Sequence, residues 1–378
     1  MSEKIKLLVV ADTYYPMVDG TLKFVEEFVK RAGKDFDYHL LVPNFKDQKD
    51  TPRVTFVKVS RFIKLSGYHS IKIFSLSNFR KISKAVKEND IIFVQGPVFL
   101  SALSILIGKL KKKKVVFYMH VDLWNFFKNV LVTPILKVLY FFMKPFVKIL
   151  GNNCSLVLVP YRDLIDTLKA KKVNVPVKVV HLGVDINKFF PVKDKNNIRK
   201  KLSLPQEKMI IGYVGRVSNE KNTHTLLEAF KKLPQQNNLH LLIVGDGSVN
   251  LVKELKSISN CTVTGFVRNV EDYYQAMDIF VMPSLTETTS LATLEAMSTG
   301  LPVIATKVGF IKEYLSKEHN GLFFPRNSSG MLAVKLEQLL NSPALREKLG
   351  HNARKTVAYS FSWERSINKI KRIFLEQL

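Results

Sequence analysis

The chain has 378 residues, enough for two or three domains, and its ordinary apolar content of 46% excludes a disordered chain. Its two cysteines stand apart and in no motif, which excludes a disulfide scaffold or a cysteine-bound zinc site and fits a reducing compartment. Lys and Arg number 58 and Asp and Glu 32, a formal net charge of +26. That charge favours an anionic partner (a membrane surface, a nucleic acid or a phosphorylated substrate), although solvated lysine-rich faces would give the same total.

Strand-like and helix-like segments alternate along the chain. In the first half IKLLVVAD, YHLLVP, DIIFVQ, KVVFYMH, SLVLVP and VKVVHLG are typical of buried parallel strands. In the second half MIIGYVGR, LHLLIVGDG, CTVTGFV, DIFVMPS and LPVIATKVG repeat the pattern. Helical segments such as TLKFVEEFVKRAG and NTHTLLEAFKKLP stand between them. This alternation predicts two doubly wound α/β domains.

The polar, proline-flanked stretch Phe189–Lys208 is the linker candidate. We therefore expect one domain over residues 1–190, a second over residues 191–360, and an amphipathic C-terminal helix over residues 361–378.

Two apolar segments bear on membrane insertion. The N-terminal run is short and leads into DTYYP rather than a small-residue cleavage site, so we expect no signal peptide. Residues 91–108 are uncharged and long enough to suggest a span, but Gln95-Gly96-Pro97 divides them into a strand and a short helix, so we expect no span there.

The basic excess is concentrated in the first half, where residues 53–150 hold 18 basic and 3 acidic residues, a net +15. Within it, Asp122–Leu150 is rich in aromatic and aliphatic residues with lysines on one stripe, and Lys109–Lys114 reads KLKKKK. Both are typical of a segment lying in a membrane interface, and equally of a core helix followed by a charged loop. The candidate membrane-binding residues are Lys109, Lys111, Lys112, Lys113, Lys114, Lys128, Lys137, Lys144 and Lys148.

Arg216 and Lys221 follow the strand-like run MIIGYVG and precede a helical segment. Cations beside the free N–H groups of a helix N-terminus are suited to a pyrophosphate. A surface Arg and Lys in an ordinary loop would give the same sequence pattern, so this remains the alternative.

Glu287 and Glu295 stand in ETTSLATLEAMSTG, directly after the run DIFVMPS. Two carboxylates separated by hydroxyls and backbone amides could hold the hydroxyl pairs of a sugar and of a ribose on either side of phosphates. A solvated helical Glu295 and an N-terminal helix acid at Glu287 remain the alternative.

These motifs together carry a family resemblance. GRVSNEKN followed by PSLTETTSLATLEAMSTGLPVIATKVG resembles the donor-binding half of the retaining GT-B glycosyltransferases with the E-x7-E motif, the glycosyltransferase family 4-like group. DTYYPMVDG, YMHVD and HLGVDINKFFP resemble the glycine loop, the histidine motif and the end of the first domain in the same family. One departure is that Thr288-Thr289-Ser290 replaces the common Gly-Phe-Gly, which bears on the sugar that is held.

The resemblance implies a GT-B fold, with two Rossmann-like domains facing each other across a cleft, an acceptor domain first and a donor domain second. It implies that the C-terminal helix packs back toward the first domain. The catalytic residues it implies are His120, Glu287, Arg216 and Lys221. The donor-binding residues it implies are Gly20, Arg216, Lys221, Glu287, Thr289, Ser290, Leu291 and Glu295.

Metal and cofactor expectations follow from the same resemblance. The only D-x-D, Asp35 to Asp37, falls between a helix and a strand away from the donor motif, so no metal site is expected. The resemblance implies no cofactor beyond a UDP- or GDP-sugar co-substrate.

The basic first domain favours a membrane lipid acceptor such as diacylglycerol, and the chain resembles the diacylglycerol glucosyltransferases and related glycolipid synthases. We expect a cytoplasmic enzyme peripheral to the inner face of the cell membrane. A polyprenyl-linked or polysaccharide acceptor is the alternative within the family. A basic nucleic-acid-binding protein is the alternative of another class, but no motif for it appears, and we expect no nucleic-acid partner.

Overall fold

The computed structural model describes residues 4–17, 19–65, 68–96, 98–120, 145–234 and 236–377. It divides into two compact units, one of Met1–His181 with Ser366–Leu378 and one of Leu182–Arg365. Each unit is built on its own sheet.

The first unit contains a sheet with the strand order β4-β3-β2-β1-β5-β6-β7-β8. All neighbouring strands are parallel except β3 and β4, which are antiparallel. The strands are β1 (Lys6–Ala11), β2 (Asp37–Asn44), β3 (Val54–Leu65), β4 (Tyr68–Ile71), β5 (Ile91–Gln95), β6 (Lys114–Tyr118), β7 (Leu156–Val159) and β8 (Val177–Val179). The central strands are apolar and buried on both faces, as a parallel sheet covered by helices requires.

Helices connect these strands in the first unit. They are Gly20–Ala32, Leu76–Glu88, Phe99–Leu110, the helical residues 145–152, Asp163–Ala170 and the C-terminal Trp363–Leu375, which crosses the boundary between the units. Asp19 caps the first of them by accepting a hydrogen bond from the N–H of Leu22 at 2.9 Å. The C-terminal helix packs on this unit, because Phe374 contacts the rings of Phe28 and Phe93.

The second unit contains a wholly parallel sheet with the order β11-β10-β9-β12-β13-β14. The strands are β9 (Met209–Val214), β10 (Leu239–Val244), β11 (Cys261–Val263), β12 (Ile279–Met282), β13 (Val303–Thr306) and β14 (Leu322–Phe324). The helices are Lys195–Lys201, Thr223–Lys231, Val249–Lys256, Glu271–Ala276, Leu291–Ser298, Ile311–Tyr314, Ser329–Leu340 and Pro343–Ser360, with a 3-10 turn at Gln236–Asn238.

The predicted linker is an integral part of the second unit. The units divide at residues 181/182, earlier than the expected 190/191, and residues 189–208 contain a helix. Arg199 is buried, and its Nη2 lies 2.6 Å from the Asp278 carboxylate. Part of the polarity there is internal, because Lys195 and Arg199 bind the Asp278 carboxylate and main-chain carbonyls.

The structure bears on two of the membrane expectations. Residues 91–108 contribute strand β5 and most of the helix Phe99–Leu110, as expected from their central break. Across the part of the chain that the structure describes, no helix has the length and apolarity needed to cross a bilayer. Residues 121–144 lie outside the described residues, and with them Lys128, Lys137 and Lys144, whereas Lys148 is exposed.

Candidate donor site

The site in the second unit begins where two neighbouring strands end. Strands β9 and β12 are paired, so the loops that follow them emerge side by side at the carboxyl edge of the sheet. The N–H of Leu285 donates to the carbonyl of Glu220 at 2.9 Å, and Asn222 Nδ2 donates to the carbonyl of Pro283 at 3.2 Å. These bonds join the Arg216–Lys221 loop to the Glu287 loop.

Lys221 and Glu287 form an ion pair in this position. Lys221 Nζ lies 2.7 Å from Glu287 Oε1, and the same oxygen accepts a hydrogen bond from Ser284 Oγ at 2.8 Å. Only 20% of the Lys221 side chain and 9% of the Glu287 side chain are exposed. An ammonium group carries three N–H donors, so Lys221 can bind a phosphate oxygen while it keeps its carboxylate partner.

Arg216 lies on the same loop with its side chain 67% exposed. Its Nη2 is 3.4 Å from Glu220 Oε2, at the far end of the hydrogen-bond range. The backbone beneath it is fixed, because Tyr213 Oη donates to the Arg216 carbonyl at 2.8 Å. Burial and the nearby Glu287 carboxylate raise the pKa of Tyr213, so its phenol stays protonated as a donor. A fixed backbone with a solvated guanidinium suits the capture of an incoming anion.

The loop after Glu287 is held from beneath by the segment that follows β13. The N–H of Phe310 donates to the carbonyl of Thr288 at 2.8 Å, and Tyr314 Oη donates to the carbonyl of Thr289 at 2.9 Å. A Cβ on Gly309 would lie 1.8 Å from the Glu287 carbonyl oxygen. Only glycine permits this close approach. The contact fixes the position of the Glu287 backbone above the sheet.

Ser290 turns the chain from this loop into the helix Leu291–Ser298. Its φ of 56° is in the left-handed region, which a non-glycine residue adopts at a cost of about 1–3 kcal/mol. Ser290 makes no side-chain cap, because its Oγ lies 2.8 Å from Thr293 Oγ1. The first-turn N–H groups, that of Leu291 included, therefore remain without a side-chain acceptor, as a site for an anionic ligand requires.

Glu295 is the fifth residue of that helix and is 5% exposed. The alternative of a solvated helical glutamate is therefore wrong. Its Oε2 accepts a hydrogen bond from Tyr274 Oη at 2.9 Å, and burial followed by the charge of Glu295 raises the pKa of that phenol. Glu295 is thus held in one orientation by a permanent donor, which suits recognition of a hydroxyl pair.

The GDG motif lies beside the same site. A Cβ on Gly245 would lie 2.0 Å from the Gly215 carbonyl oxygen, so the loops after β9 and β10 can meet only through glycine. Gly247 approaches the carbonyl of Val217 equally closely. These contacts bring the motif, Gly245 to Gly247, next to the Arg216 loop.

The two predicted site residues of the first unit lie at the carboxyl edge of its sheet. Gly20 begins the helix after β1, and a Cβ there would meet no atom within 4 Å, so the space beside it is open. His120 follows β6 and is buried, with its Nε2 2.8 Å from Gln95 Oε1. Burial lowers the pKa of His120 to about 3, so the ring is neutral at physiological pH. Its Nδ1 has no partner among the described residues.

Comparisons with known proteins bear on both units. Residues 194–356 match the family of glycosyl transferases group 1, and residues 18–188 match Glycosyltransferase Family 4. Of the solved structures, Anabaena HepE in complex with UDP has a TM-score of 0.78 at 19% identity, covering 99% of this chain and 100% of that one. The chain belongs to the GT-B glycosyltransferases.

Two relatives align with this glycosyltransferase over nearly its whole length. An uncharacterised glycosyltransferase of Methanocaldococcus jannaschii is 25% identical over 98% of this chain and 98% of its own. The alpha-monoglucosyldiacylglycerol synthase of Acholeplasma laidlawii is 22% identical over 91% of this chain and 90% of its own. The glycosyltransferase activity expected from the E-x7-E region is confirmed by these matches, whereas the role of each site residue stays a prediction.

One cluster of potential metal ligands occurs among the described residues of this glycosyltransferase. The ligand atoms of His224, Glu228 and Glu254 lie within 4.8 Å of one another. Lys231 Nζ lies 2.8 Å from Glu228 and 3.5 Å from Glu254, so an ammonium group already pairs with both carboxylates. In the first unit, Asp35 pairs with Lys371, and Asp37 begins β2 at the amino edge of the sheet.

The residues that support the donor site were not singled out from the sequence of this glycosyltransferase. The structure adds Ser284, Tyr274, Gly309 and Tyr314 around the two glutamates, and Gln95 beside His120. Ser284 and Gln95 each come at a strand end, a position that sequence alone marks. Tyr274 and Tyr314 read as ordinary apolar residues, since nothing local indicates where their hydroxyls point.

Proposed function

We propose that this glycosyltransferase moves a hexose from a UDP-hexose to a lipid acceptor at a membrane surface, with retention of the anomeric configuration. The observation that carries the donor half is the Lys221–Glu287 pair beside the uncapped start of the helix Leu291–Ser298. It combines a fixed cation on one loop with a fixed carboxylate and uncapped first-turn N–H groups on the loop beside it. That set matches a diphosphate with a sugar attached.

The proposed chemistry assigns charge stabilisation to the cations. The bond between the sugar C1 and the diphosphate oxygen breaks, and negative charge accumulates on the departing diphosphate. Lys221 and Arg216 offset that charge, the kind of contribution that is typically worth about 10²–10³ in rate. The acceptor hydroxyl oxygen bonds to C1 on the face that the diphosphate leaves, and its proton passes to a diphosphate oxygen.

Glu287 is assigned a binding role in this scheme. Lys221 and Ser284 both bind its Oε1, so its Oε2 can orient the donor sugar by accepting from hydroxyl groups. This differs from glycosidases, in which one of two carboxylates attacks the anomeric carbon. Glu295 is assigned the ribose, Gly20 the donor phosphate, and neutral His120 a hydrogen bond to the reacting sugar.

The lipid acceptor is supported by two observations of different kinds. The alpha-monoglucosyldiacylglycerol synthase of Acholeplasma laidlawii aligns over most of both chains. Residues 53–150 carry a net +15, which suits a membrane with anionic headgroups. A polyprenyl-linked or polysaccharide acceptor is the second candidate, and the product assay separates the two.

The test is to incubate the protein with radiolabelled UDP- and GDP-hexoses and a total lipid extract, then to identify the labelled product by mass spectrometry and its anomer by NMR. We expect a glycolipid labelled from a UDP-hexose. Label in a polyprenyl-linked or polysaccharide fraction would reject the acceptor, label from GDP-hexose alone would reject the nucleotide, and inversion would reject the stereochemistry.

A further inference from the structure

Three large apolar side chains stand in water on the first unit, around the start of the helix Leu76–Glu88. Phe74 is fully exposed at 102%, Leu76 is 62% exposed and Phe79 is 50% exposed. Single exposed apolar residues are ordinary, but three within six positions form a patch that water solvates poorly. We call Phe74, Leu76 and Phe79 the apolar wedge.

The wedge is presented on a rigid support. Asn78, between its members, is 1% exposed. Its Nδ2 donates to the carbonyls of Lys58 at 2.8 Å and Lys72 at 3.1 Å, and its Oδ1 accepts from the N–H of Lys58 at 2.9 Å. Ser75 caps the helix by accepting from the N–H of Asn78. Because the backbone is fixed at these points, the exposed side chains are not simply a frayed loop.

The charged residues nearest the wedge in the sequence are all cations, and the carboxylate of Asp50, which lies near the same helix, is paired with Lys81. Lys58, Lys72 and Arg80 are exposed, and no Asp or Glu occurs between residues 51 and 87. Residues 51–80 alone contain six cations, namely Arg53, Lys58, Arg61, Lys64, Lys72 and Arg80. Apolar side chains flanked by cations are the combination that enters the boundary between headgroups and acyl chains of an anionic bilayer.

The sheet register locates the wedge. Gln95 of β5 pairs with Ala11 at the carboxyl end of β1, and Lys58 of β3 pairs with the last residue of β2, Asn44. The N–H of Lys72 donates to the carbonyl of Lys58, so the chain enters the wedge at the carboxyl edge of the sheet. That is the edge at which open α/β sheets bind ligands, and it also carries Gln95 and His120.

We infer that the apolar wedge docks this glycosyltransferase on an anionic lipid bilayer, with Phe74, Leu76 and Phe79 inserted and Lys58, Lys72 and Arg80 on the headgroups. The membrane then meets the carboxyl edge of the first sheet, where a lipid acceptor can enter without leaving the bilayer. The entry of the acceptor from the bilayer rests on the proposed lipid acceptor, whereas the docking itself does not.

The test uses the full chain and vesicles of phosphatidylcholine with or without phosphatidylglycerol. The wedge variant carries Phe74→Ser, Leu76→Ser and Phe79→Ser, and we expect it to lose at least tenfold in co-sedimentation with anionic vesicles. Its control carries Val249→Ser and Phe266→Ser, which remove exposed apolar side chains from the second unit and should leave binding unchanged. The three wedge positions and the two control positions are all exposed, so both variants should fold like the parent.

A direct readout places a fluorophore in the wedge. Phe74→Trp should be quenched by lipids brominated on their acyl chains, beyond the quenching of the parent's two tryptophans. Lys58→Gln, Lys72→Gln and Arg80→Gln together should weaken binding to phosphatidylglycerol vesicles at least tenfold and flatten its salt dependence.

The outcomes separate this inference from the proposed function. If vesicle binding needs the wedge but no lipid is glycosylated, the docking stands and the acceptor proposal fails. If lipid is glycosylated and the wedge variant binds vesicles like the parent, the docking is wrong. It is also wrong if the parent binds no vesicles, or if the wedge substitutions convert a dimer into a monomer, because the occupant is then a second copy of the chain.

Discussion

At the scale of single residues, the donor site consists of groups that already bind partners within the protein. Lys221 is paired with Glu287, Glu295 with Tyr274, and the Thr289 carbonyl with Tyr314. Pre-oriented groups of this kind need little rearrangement when charge develops on a ligand, which is why they contribute more than the same groups in water. Because these groups are paired, a substitution of one group also changes the environment of its partner.

Lys221→Met should lower turnover by about 10²–10³ and also destabilise the fold, because Glu287 loses its cation while remaining nearly buried. The double variant Lys221→Met with Glu287→Gln should recover thermal stability without recovering activity. Activity assays and thermal unfolding of the parent, the single variant and the double variant measure both effects. Near-parental turnover in either variant would remove Lys221 from the mechanism.

His120 should make stability fall in mild acid. Its folded pKa of about 3 is below the unfolded value of about 6.5, so between these pH values the unfolded chain binds a proton that the folded chain does not. The contribution is fully present above pH 6.5 and is lost as pH falls toward 3, at up to about 1.4 kcal/mol per pH unit. Burial also lowers the pKa of His240, to about 4, which adds a loss of the same sign.

Urea unfolding of the parent and of His120→Gln from pH 4 to 8 isolates that contribution, and the variant should show the shallower dependence. Equal slopes would mean that His120 protonates in the folded protein. NMR titration of the parent gives a second measurement, in which the His120 signals should not shift above pH 5.

At the scale of elements, close backbone contacts hold the loops at the strand ends in place. The loop containing Glu287 lies against Gly309, and the GDG loop lies against Gly215. The helices Thr223–Lys231 and Leu291–Ser298 both begin after a left-handed residue without a side-chain cap, Asn222 and Ser290. The helices Val249–Lys256, Glu271–Ala276 and Ile311–Tyr314 also begin without a side-chain cap, but none of them has a left-handed N-cap residue. The left-handed N-cap therefore distinguishes the two helix starts of the site.

Gly309→Ala tests how much the site depends on that support. The added Cβ would lie 1.8 Å from the Glu287 carbonyl oxygen, at a φ of +49° that alanine rarely adopts, so the loop must move. We expect a large loss of turnover and a lower melting temperature. Gly330→Ala is the control, since a Cβ there meets nothing within 4 Å and the helix should gain up to about 1 kcal/mol. Parental activity in Gly309→Ala would show that turnover does not depend on the backbone position of Glu287.

At the scale of the whole molecule, the net charge of +26 is distributed unevenly along the chain. Within the first unit, the basic residues discussed above lie at two different edges of the sheet. The run Lys109–Lys114 ends where Lys114 of β6 pairs with Ile91, the first residue of β5, which puts it at the amino edge of the sheet. The apolar wedge begins at the carboxyl edge. A five-residue strand separates these edges by roughly 15 Å, more than the Debye length of about 8 Å at physiological salt.

Replacing Lys111, Lys112, Lys113 and Lys114 with Ser therefore discriminates between the two patches. With the wedge docked, we expect binding to anionic vesicles to fall less than threefold and turnover on a detergent-solubilised acceptor to be kept. The charge-neutral variant of Lys58, Lys72 and Arg80 is the comparison. A larger loss from the lysine run than from that comparison would identify the run as the membrane contact and would contradict the wedge.

In the sequence by itself, strand periodicity determined the fold class and the two-unit plan. The glycosyltransferase activity followed from a family resemblance carried by loop motifs such as Arg216–Lys221, and these too are local patterns. The sequence analysis missed strands β3, β4 and β14. It also misread residues 189–208 as a linker, since polar composition looks the same whether cations meet water or internal carboxylates. Only the tertiary structure decided that Glu295 is buried, that Lys221 bonds Glu287, and which apolar side chains are left in water. Those facts depend on contacts between segments far apart in the chain, and residue spacing along one segment carries no information about them.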